Sequence, residues 1–340
     1  MKKLLLASTA LLVSAGVAAA DVSVSGDGRM GVTYDNSRDT KWEFTNRIRV
    51  IFTLSGESDA GFSFGGSIQA DNAADGADGT AGDVFISGIF GKISMGDVNS
   101  GDQRVVGQLH GVGLTGLGDG NEVSYEANGG GWSGLLDAPT GIPAFPTVRE
   151  AFFPGYETVP ARVLYEYEMA GFIFAASHSQ TGSIRSYGVG IGYSMDGFSG
   201  GIGYGEARNN DPFALGITFA PIKATDITAS AGYSMGDFEV KALYQDKKVR
   251  QLGAQIDRHK SLGISGAGSF DAVTVSAYAI RTRSRLFDIN LNRAGIGMAY
   301  DLGGGASLQA GVARLEQFDL TTVSGKSRKT VADFGVALEF

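Results

Sequence analysis

Few residues in this chain are of types that do chemistry. Three histidines, His110, His178 and His259, stand far apart, without the short spacings of a metal-ligand set. None sits beside a plausible nucleophile on a shared face, so a hydrolase built on a Ser–His or Asp–His pair has no support and the chain reads as non-enzymatic. The sequence has no cysteine, which removes thiolate catalysis, iron–sulfur clusters and cysteine-bound zinc. Asp71, Asp75 and Asp78 offer oxygen ligands at loose spacing, and a loosely bound calcium ion is the one cofactor they allow. What remains is fixed charge. Arg29, Arg47 and Arg49 lie in the N-terminal region, while Asp119, Glu122 and Glu126 stand in a long stretch that further on collects five of the seven prolines.

The elements that position these charges follow from where the apolar residues go. Lys2 and Lys3 precede an apolar run from Leu4 to Val17, and Ala18, Ala19 and Ala20 supply a small-residue cleavage pattern before Asp21. Residues 1–20 therefore read as a secretory signal peptide, and residues 21–340 as the mature chain. Removing the two lysines takes the formal charge from −8 to −10, which argues against a nucleic-acid partner. No later stretch approaches the roughly 20 apolar residues of a membrane-spanning helix, yet 43% of the chain is hydrophobic. Glycine is abundant, 52 residues against 7 prolines without a three-residue period, and that excludes collagen and suits crowded β-structure.

From Val22 the even positions are Val22, Val24, Gly26, Gly28, Met30, Val32 and Tyr34, while the odd positions are mainly polar. This period of two belongs to a strand with one apolar and one polar face. The same alternation marks fifteen further segments, ending with residues 329–340. Short links such as Gly91-Lys92, Ala170-Gly171, Asp196-Gly197, Gly236-Asp237 and Phe270-Asp271 alternate with longer polar ones, of which residues 98–160 form the longest. Tight turns at one end and long loops at the other distinguish a transmembrane barrel from a soluble sandwich. Phe213 to Phe219 also alternates, but a seventeenth strand would send every later short turn to the opposite rim, so it is assigned to a loop. Gly188, Gly190 and Gly192 alternate with Tyr187, Val189, Ile191 and Tyr193 without a following helix, and read as strand rather than as a phosphate loop. The polar faces of the first two strands direct Arg29, Arg47 and Arg49 towards the barrel interior. A second basic group, Arg281, Arg283, Arg285 and Arg293, brackets a later loop and reads as surface facing lipopolysaccharide or water.

The strand Val24-Ser25-Gly26-Asp27-Gly28-Arg29-Met30-Gly31-Val32, the run Phe85-Ile86-Ser87-Gly88 leading into Phe90-Gly91-Lys92-Ile93-Ser94-Met95-Gly96-Asp97, and the terminal Val331–Phe340 strand carry a resemblance. With them the mature chain resembles the trimeric, sixteen-stranded general-diffusion porins of Gram-negative outer membranes. The resemblance implies an all-β fold, a transmembrane antiparallel barrel with short periplasmic turns and long external loops. It implies a water-filled channel for passive diffusion of ions and small hydrophilic solutes, a homotrimer, and contacts with outer-membrane lipids and lipopolysaccharide. It further implies that the 98–160 loop folds into the pore, so that an acidic loop bearing Asp119, Glu122 and Glu126 faces a basic wall of Arg29, Arg47 and Arg49 across a constriction. Phe340 would be the terminal aromatic read by the outer-membrane assembly machinery. The alternative is a substrate-specific channel for a sugar or an anion, and, further off, a barrel enzyme or adhesin.

Overall fold

The computed structural model describes residues 21–71, 82–128, 162–181, 184–210, 213–214, 217–218, 221–286, 288–319, 322 and 324–340. The signal-peptide segment, Asp75, Asp78 and the proline-bearing part of the long loop lie outside these residues. Sixteen strands build the barrel. The first eight are β1 (Asp21–Asp35), β2 (Trp42–Glu57), β3 (Ser63–Asp71), β4 (Gly82–Gly88), β5 (Gly91–Gly96), β6 (Arg162–Met169), β7 (Phe172–Thr181) and β8 (Ile184–Met195). The remainder are β9 (Phe198–Asn209), β10 (Ile222–Met235), β11 (Phe238–Gln251), β12 (Ala254–Phe270), β13 (Val273–Ser284), β14 (Ile289–Gly303), β15 (Ala306–Phe318) and β16 (Lys326–Glu339). Each pairs antiparallel with its sequence neighbours, and β1 pairs with β16, closing the sheet. Closure leaves no free edge, so every strand is hydrogen-bonded on both sides as a lipid environment requires.

The alternation behaves as its period dictates. Val22, Val24, Met30, Phe44, Ile48 and Phe52 stand exposed on the outer surface, Phe44 at 94%. Apolar side chains at such exposure would be unstable in water and are at home against acyl chains. The terminal backbone fastens the seam: Phe340 N–H donates to Gly26 O at 2.9 Å and Gly26 N–H donates to Phe340 O at 3.3 Å. Phe213–Ala214 and Ile217–Thr218 pair as a separate two-stranded sheet that is not part of the barrel sheet.

The external connections are shorter than the alternation suggests. Sequence pattern ends one strand near Gln245 and restarts near Lys260, but the ladder continues through Gln251 paired with Ala254, with a bulge between Val249 and Arg250. Apart from Val249 and Ile256, which pack in a small inner cluster, the extra rungs carry mainly polar side chains on both faces, so they leave little period-two signal even though the backbone pairing persists.

Candidate functional site

The connection after β5 enters the barrel. It begins with α1 (Gly101–Val106), continues to Leu114, turns, and returns to a short 3₁₀ segment at Glu126–Asn128. Glycines on the inner wall make room for it. A Cβ at Gly190 on β8 would lie 2.2 Å from Val105 Cγ2, and one at Gly203 on β9 2.6 Å from Asp102 Cβ. Further along, added Cβ atoms at Gly263, Gly297, Gly311 and Gly335 would strike Leu109, Gly113 or Leu114 at 2.6–2.7 Å. This glycine track follows the loop across β8 to β16 and is the structural reason for the run that superficially resembles a nucleotide-binding motif.

Two further sets of contacts hold the loop. Val106, Leu109, Val112, Leu117, Val123 and Tyr125 bury an apolar face against wall residues that include Leu243, Tyr278, Ile280 and Leu315. Each such side chain contributes about 1.5–3 kcal/mol when taken from water. The two limbs are then zipped together: the Gln108 amide donates to Val123 O at 2.7 Å and accepts from its N–H at 2.9 Å, Asn121 Nδ2 donates to Leu109 O at 2.7 Å, and Tyr125 OH donates to Gly107 O at 2.6 Å. To the wall, Ser230 and Ser276 hydroxyls donate to Val106 O and Gly111 O, each at 2.9 Å. At the tip, the backbone N–H and hydroxyl of Thr115 both donate to Asp333 Oδ2 at 2.7 Å, and Arg29 Nη1 donates to Leu114 O at 3.4 Å. Among the described residues, the loop's contacts thus run along β6 to β16 and reach β1.

The three arginines stand on β1 and β2. Arg29 and Arg47 are opposite partners across β1 and β2, as are Asp27 and Arg49. Arg47 is ion-paired with Asp27, while Arg49 grips Asp71 with Nε and Nη2 at 2.7 and 2.9 Å. Among the described residues, Arg29 alone of the three donates to a carbonyl.

Residues 7–319 match the family of Gram-negative porins. The chain belongs to that family. A curated porin of Rhodobacter capsulatus is 30% identical to it over 94% of this chain and 100% of its own length. A porin structure refined at 1.8 Å is also 30% identical, with a TM-score of 0.68 over 94% of this chain and 100% of that one. An anion-selective porin from Comamonas acidovorans shares the fold at 16% identity and a TM-score of 0.66, over 95% of this chain and 100% of that one. The protein is an outer-membrane β-barrel, a porin forming a diffusion channel.

In this porin the charges that sequence reasoning set against each other fall in separate places. Arg29, Arg47 and Arg49 cluster on β1 and β2, and the charged neighbours of Arg29 are wall residues, Arg47, Asp27, Asp333 and Arg49. Asp119 and Glu122 lie on the returning limb beside Arg293, whose Nη2 donates to Glu122 O at 2.9 Å. They border a cavity of about 360 Å³ with Lys247, His259, Arg293 and Glu316. Burial, followed by the nearby Asp119 carboxylate, raises the Glu122 carboxyl above its ordinary value. Glu126 does not face the lumen. It is 0% exposed and ion-paired with Lys247 at 2.6 Å, because the returning limb turns that side chain to the wall. Asp226 accepts the Glu126 N–H at 3.2 Å, and Asp102 is buried nearby, where burial raises its carboxyl.

The second basic group divides as well: Arg293 points inward, while Arg281, Arg283 and Arg285 are exposed on the outside. Of the candidate calcium ligands, Asp71 is held by Arg49. His110 does meet a hydroxyl, contrary to the sequence reading: its Nδ1 lies 2.8 Å from Ser265 Oγ and its Nε2 3.1 Å from Glu239 Oε2. Ser265 is 4% exposed and also accepts the His110 backbone N–H at 3.1 Å. Sequence reasoning missed this contact and the wall side of the loop, since neither leaves a local signal.

Proposed function

We propose that the neck of this porin lies between the seated loop and the open wall bearing Arg29, Arg47 and Arg49, and that it gives the channel a weak cation preference. The observation that carries this reading is the fastening of the described loop along β6 to β16, with its tip held at β1 by Arg29, next to the strands that bear the arginines. Two of the three are paired with carboxylates, so they temper the preference set by the mature charge of −10 rather than reverse it. Asp119 and Glu122 add negative charge on the far limb. A leaning towards anions is the second reading, favoured by Arg29, whose hydrogen-bond partner is a carbonyl. The sign of the reversal potential in a salt gradient separates the two.

The same reading includes a homotrimer, a cleaved leader over residues 1–20, outer-membrane lipid and lipopolysaccharide contacts, and recognition of Phe340 by the assembly machinery. It assigns no catalytic role, since the Ser265–His110–Glu239 contact sits under the loop and serves to pin it. The absence of cysteine allows a direct test in planar bilayers. A single Cys at Glu122, modified with a bulky thiol reagent, is expected to cut the current sharply, while the same modification at Ser324 leaves it nearly unchanged. Equal effects at both sites, or none at Glu122, would move the neck elsewhere.

A further inference from the structure

The returning limb of the loop and the inner wall of β11 to β15 enclose a cavity of about 360 Å³. Small-molecule sites occupy about 300–1,000 Å³, so this recess is large enough for a compact solute. Its floor is apolar. Val249, Leu291, Leu315 and Phe318 border it at only 1–5% exposure. These side chains offer water no hydrogen bonds, so water over them is poorly held and an apolar group displaces it favourably.

The charged groups around the cavity divide into engaged and unengaged ones. Lys247 is ion-paired with Glu126 at 2.6 Å, His259 with Asp257, and Glu316 with Arg328 and Lys326 at 2.6 and 3.2 Å. Arg293 donates to Glu122 O at 2.9 Å. Asp119 and Glu122 remain. They border the cavity on the returning limb, one turn apart, with Glu122 N–H donating to Asp119 O at 3.0 Å. Among the described residues neither carboxylate has an ion-pair or hydrogen-bond partner. Partial burial, followed by the Asp119 carboxylate, holds the Glu122 carboxyl above its ordinary value, and the nearby Arg293 guanidinium opposes this more weakly. Two like charges that lack a close counter-ion behave in this way.

The geometry points to a binding site for an organic ammonium ion with an apolar body, the ammonium held by the Asp119 and Glu122 carboxylates and the body laid over Val249, Leu291 and Leu315. The inference rests on the channel reading and sharpens its cation leaning into a preference for one class of solute. Ammonium N–H groups donate to carboxylate oxygens in charge-assisted hydrogen bonds, and the apolar body takes the place of the loosely held water. An organic anion is disfavoured, because the cations of the lining are engaged while the two carboxylates are not. A small cation without a body satisfies the carboxylates and leaves the apolar floor uncovered.

The test uses the full mature protein, folded in detergent, with binding followed by ligand-detected NMR titration and the signal of protein-free micelles subtracted. The probe is 2-phenylethylammonium. Ethylammonium, which lacks the body, 2-phenylethanol, which lacks the charge, and 3-phenylpropionate, which reverses it, are the comparisons. The probe is expected to bind at least tenfold more tightly than any of the three, and Asp119→Asn with Glu122→Gln to weaken it at least tenfold. Should the double variant not fold, Glu122→Gln alone is expected to weaken binding at least threefold. Asp301→Asn, at a carboxylate beside the turn between β14 and β15 that accepts Gly303 N–H at 2.7 Å, is expected to change nothing. Binding of the probe within twofold of the parent in the carboxylate variants, or matched by any comparison compound, overturns the proposal. Single-channel current is recorded on every variant. A protein that binds the probe through Asp119 and Glu122 but forms no pore would defeat the channel reading and leave the site standing, whereas normal pores without binding would defeat the site alone.

Discussion

Thr115 and Asp333, 218 residues apart, are joined by two hydrogen bonds at 2.7 Å, one from the Thr115 backbone N–H and one from its hydroxyl, both to the same carboxylate oxygen. This is the tip of the inserted loop fastened to the last strand. Hydrogen bonds to a charged group contribute about 1.5–3 kcal/mol each. Asp333→Ala is expected to release the tip while the apolar face keeps the rest seated, and so to raise open-channel current noise without loss of barrel yield. Noise equal to that of the parent would show that Arg29 and the apolar contacts suffice.

The glycine track predicts a steric effect of definite direction. Gly203→Val places its Cβ 2.6 Å from Asp102 Cβ, so α1 must shift into the lumen and conductance should fall. Gly266→Ala, whose Cβ meets only Glu239 O at 3.3 Å and Val240 Cγ1 at 3.7 Å, is the control and should leave the current unchanged.

Replacing Arg47 and Arg49 by Ala together strips the partners from Asp27 and Asp71. Cation preference is expected to rise in a low-salt gradient, where the screening length grows to about 30 Å at 0.01 M. A reversal potential that stays put would place both side chains away from the ion path.

The raised Glu122 carboxyl gives a pH dependence with a fixed sign. Burial and Asp119 favour its neutral form, so it takes up a proton at a pH above the ordinary value of 4.5. As pH falls from neutral, cation preference should decline before exposed carboxylates titrate, and Glu122→Gln should remove that early part. By linkage, a proton held more tightly in the folded state stabilises it below the ordinary carboxylate range, a contribution lost as pH rises through the raised value. Asp102, raised by burial, acts in the same direction on the seating of α1.

Phe340 is 69% exposed, and its backbone rather than its ring makes the hydrogen bonds to Gly26. Deleting it should lower the yield of assembled outer-membrane protein and leave periplasmic aggregates, while the fraction that does assemble conducts normally. Unchanged yield and heat-modifiable mobility would remove the assembly role.

The barrel was legible because lipid facing imposes a period of two that sequence records directly, as in Val22 to Tyr34. Where that pressure ends, as at Asp246 to Gln251, pairing continues without a pattern to mark it. The loop's presence was legible from its length and position. Its inner face was not: Leu243 and Leu315 point inward to meet a segment more than a hundred residues away, and their strands show apolar residues on the outer face too. Glu126 was misread for a related reason, since carboxylate identity says nothing about which side of a hairpin meets the wall, and the partner that decides it, Lys247, lies on β11.

The described loop seats against the inner faces of β8 to β16, and the proposed neck between it and the arginine-bearing strands is the narrow part of the water path. In a conductor with one neck the electrical resistance concentrates there, and any wider stretches in series with it act as small resistors. Alterations at the rim, even large ones, should then move the total current little, whereas a change in cross-section beside Arg29 should act almost in full proportion. Ionic throughput can therefore drift through substitutions along one arc of wall while the barrel's circumference, and with it the bilayer-facing surface, stays constant.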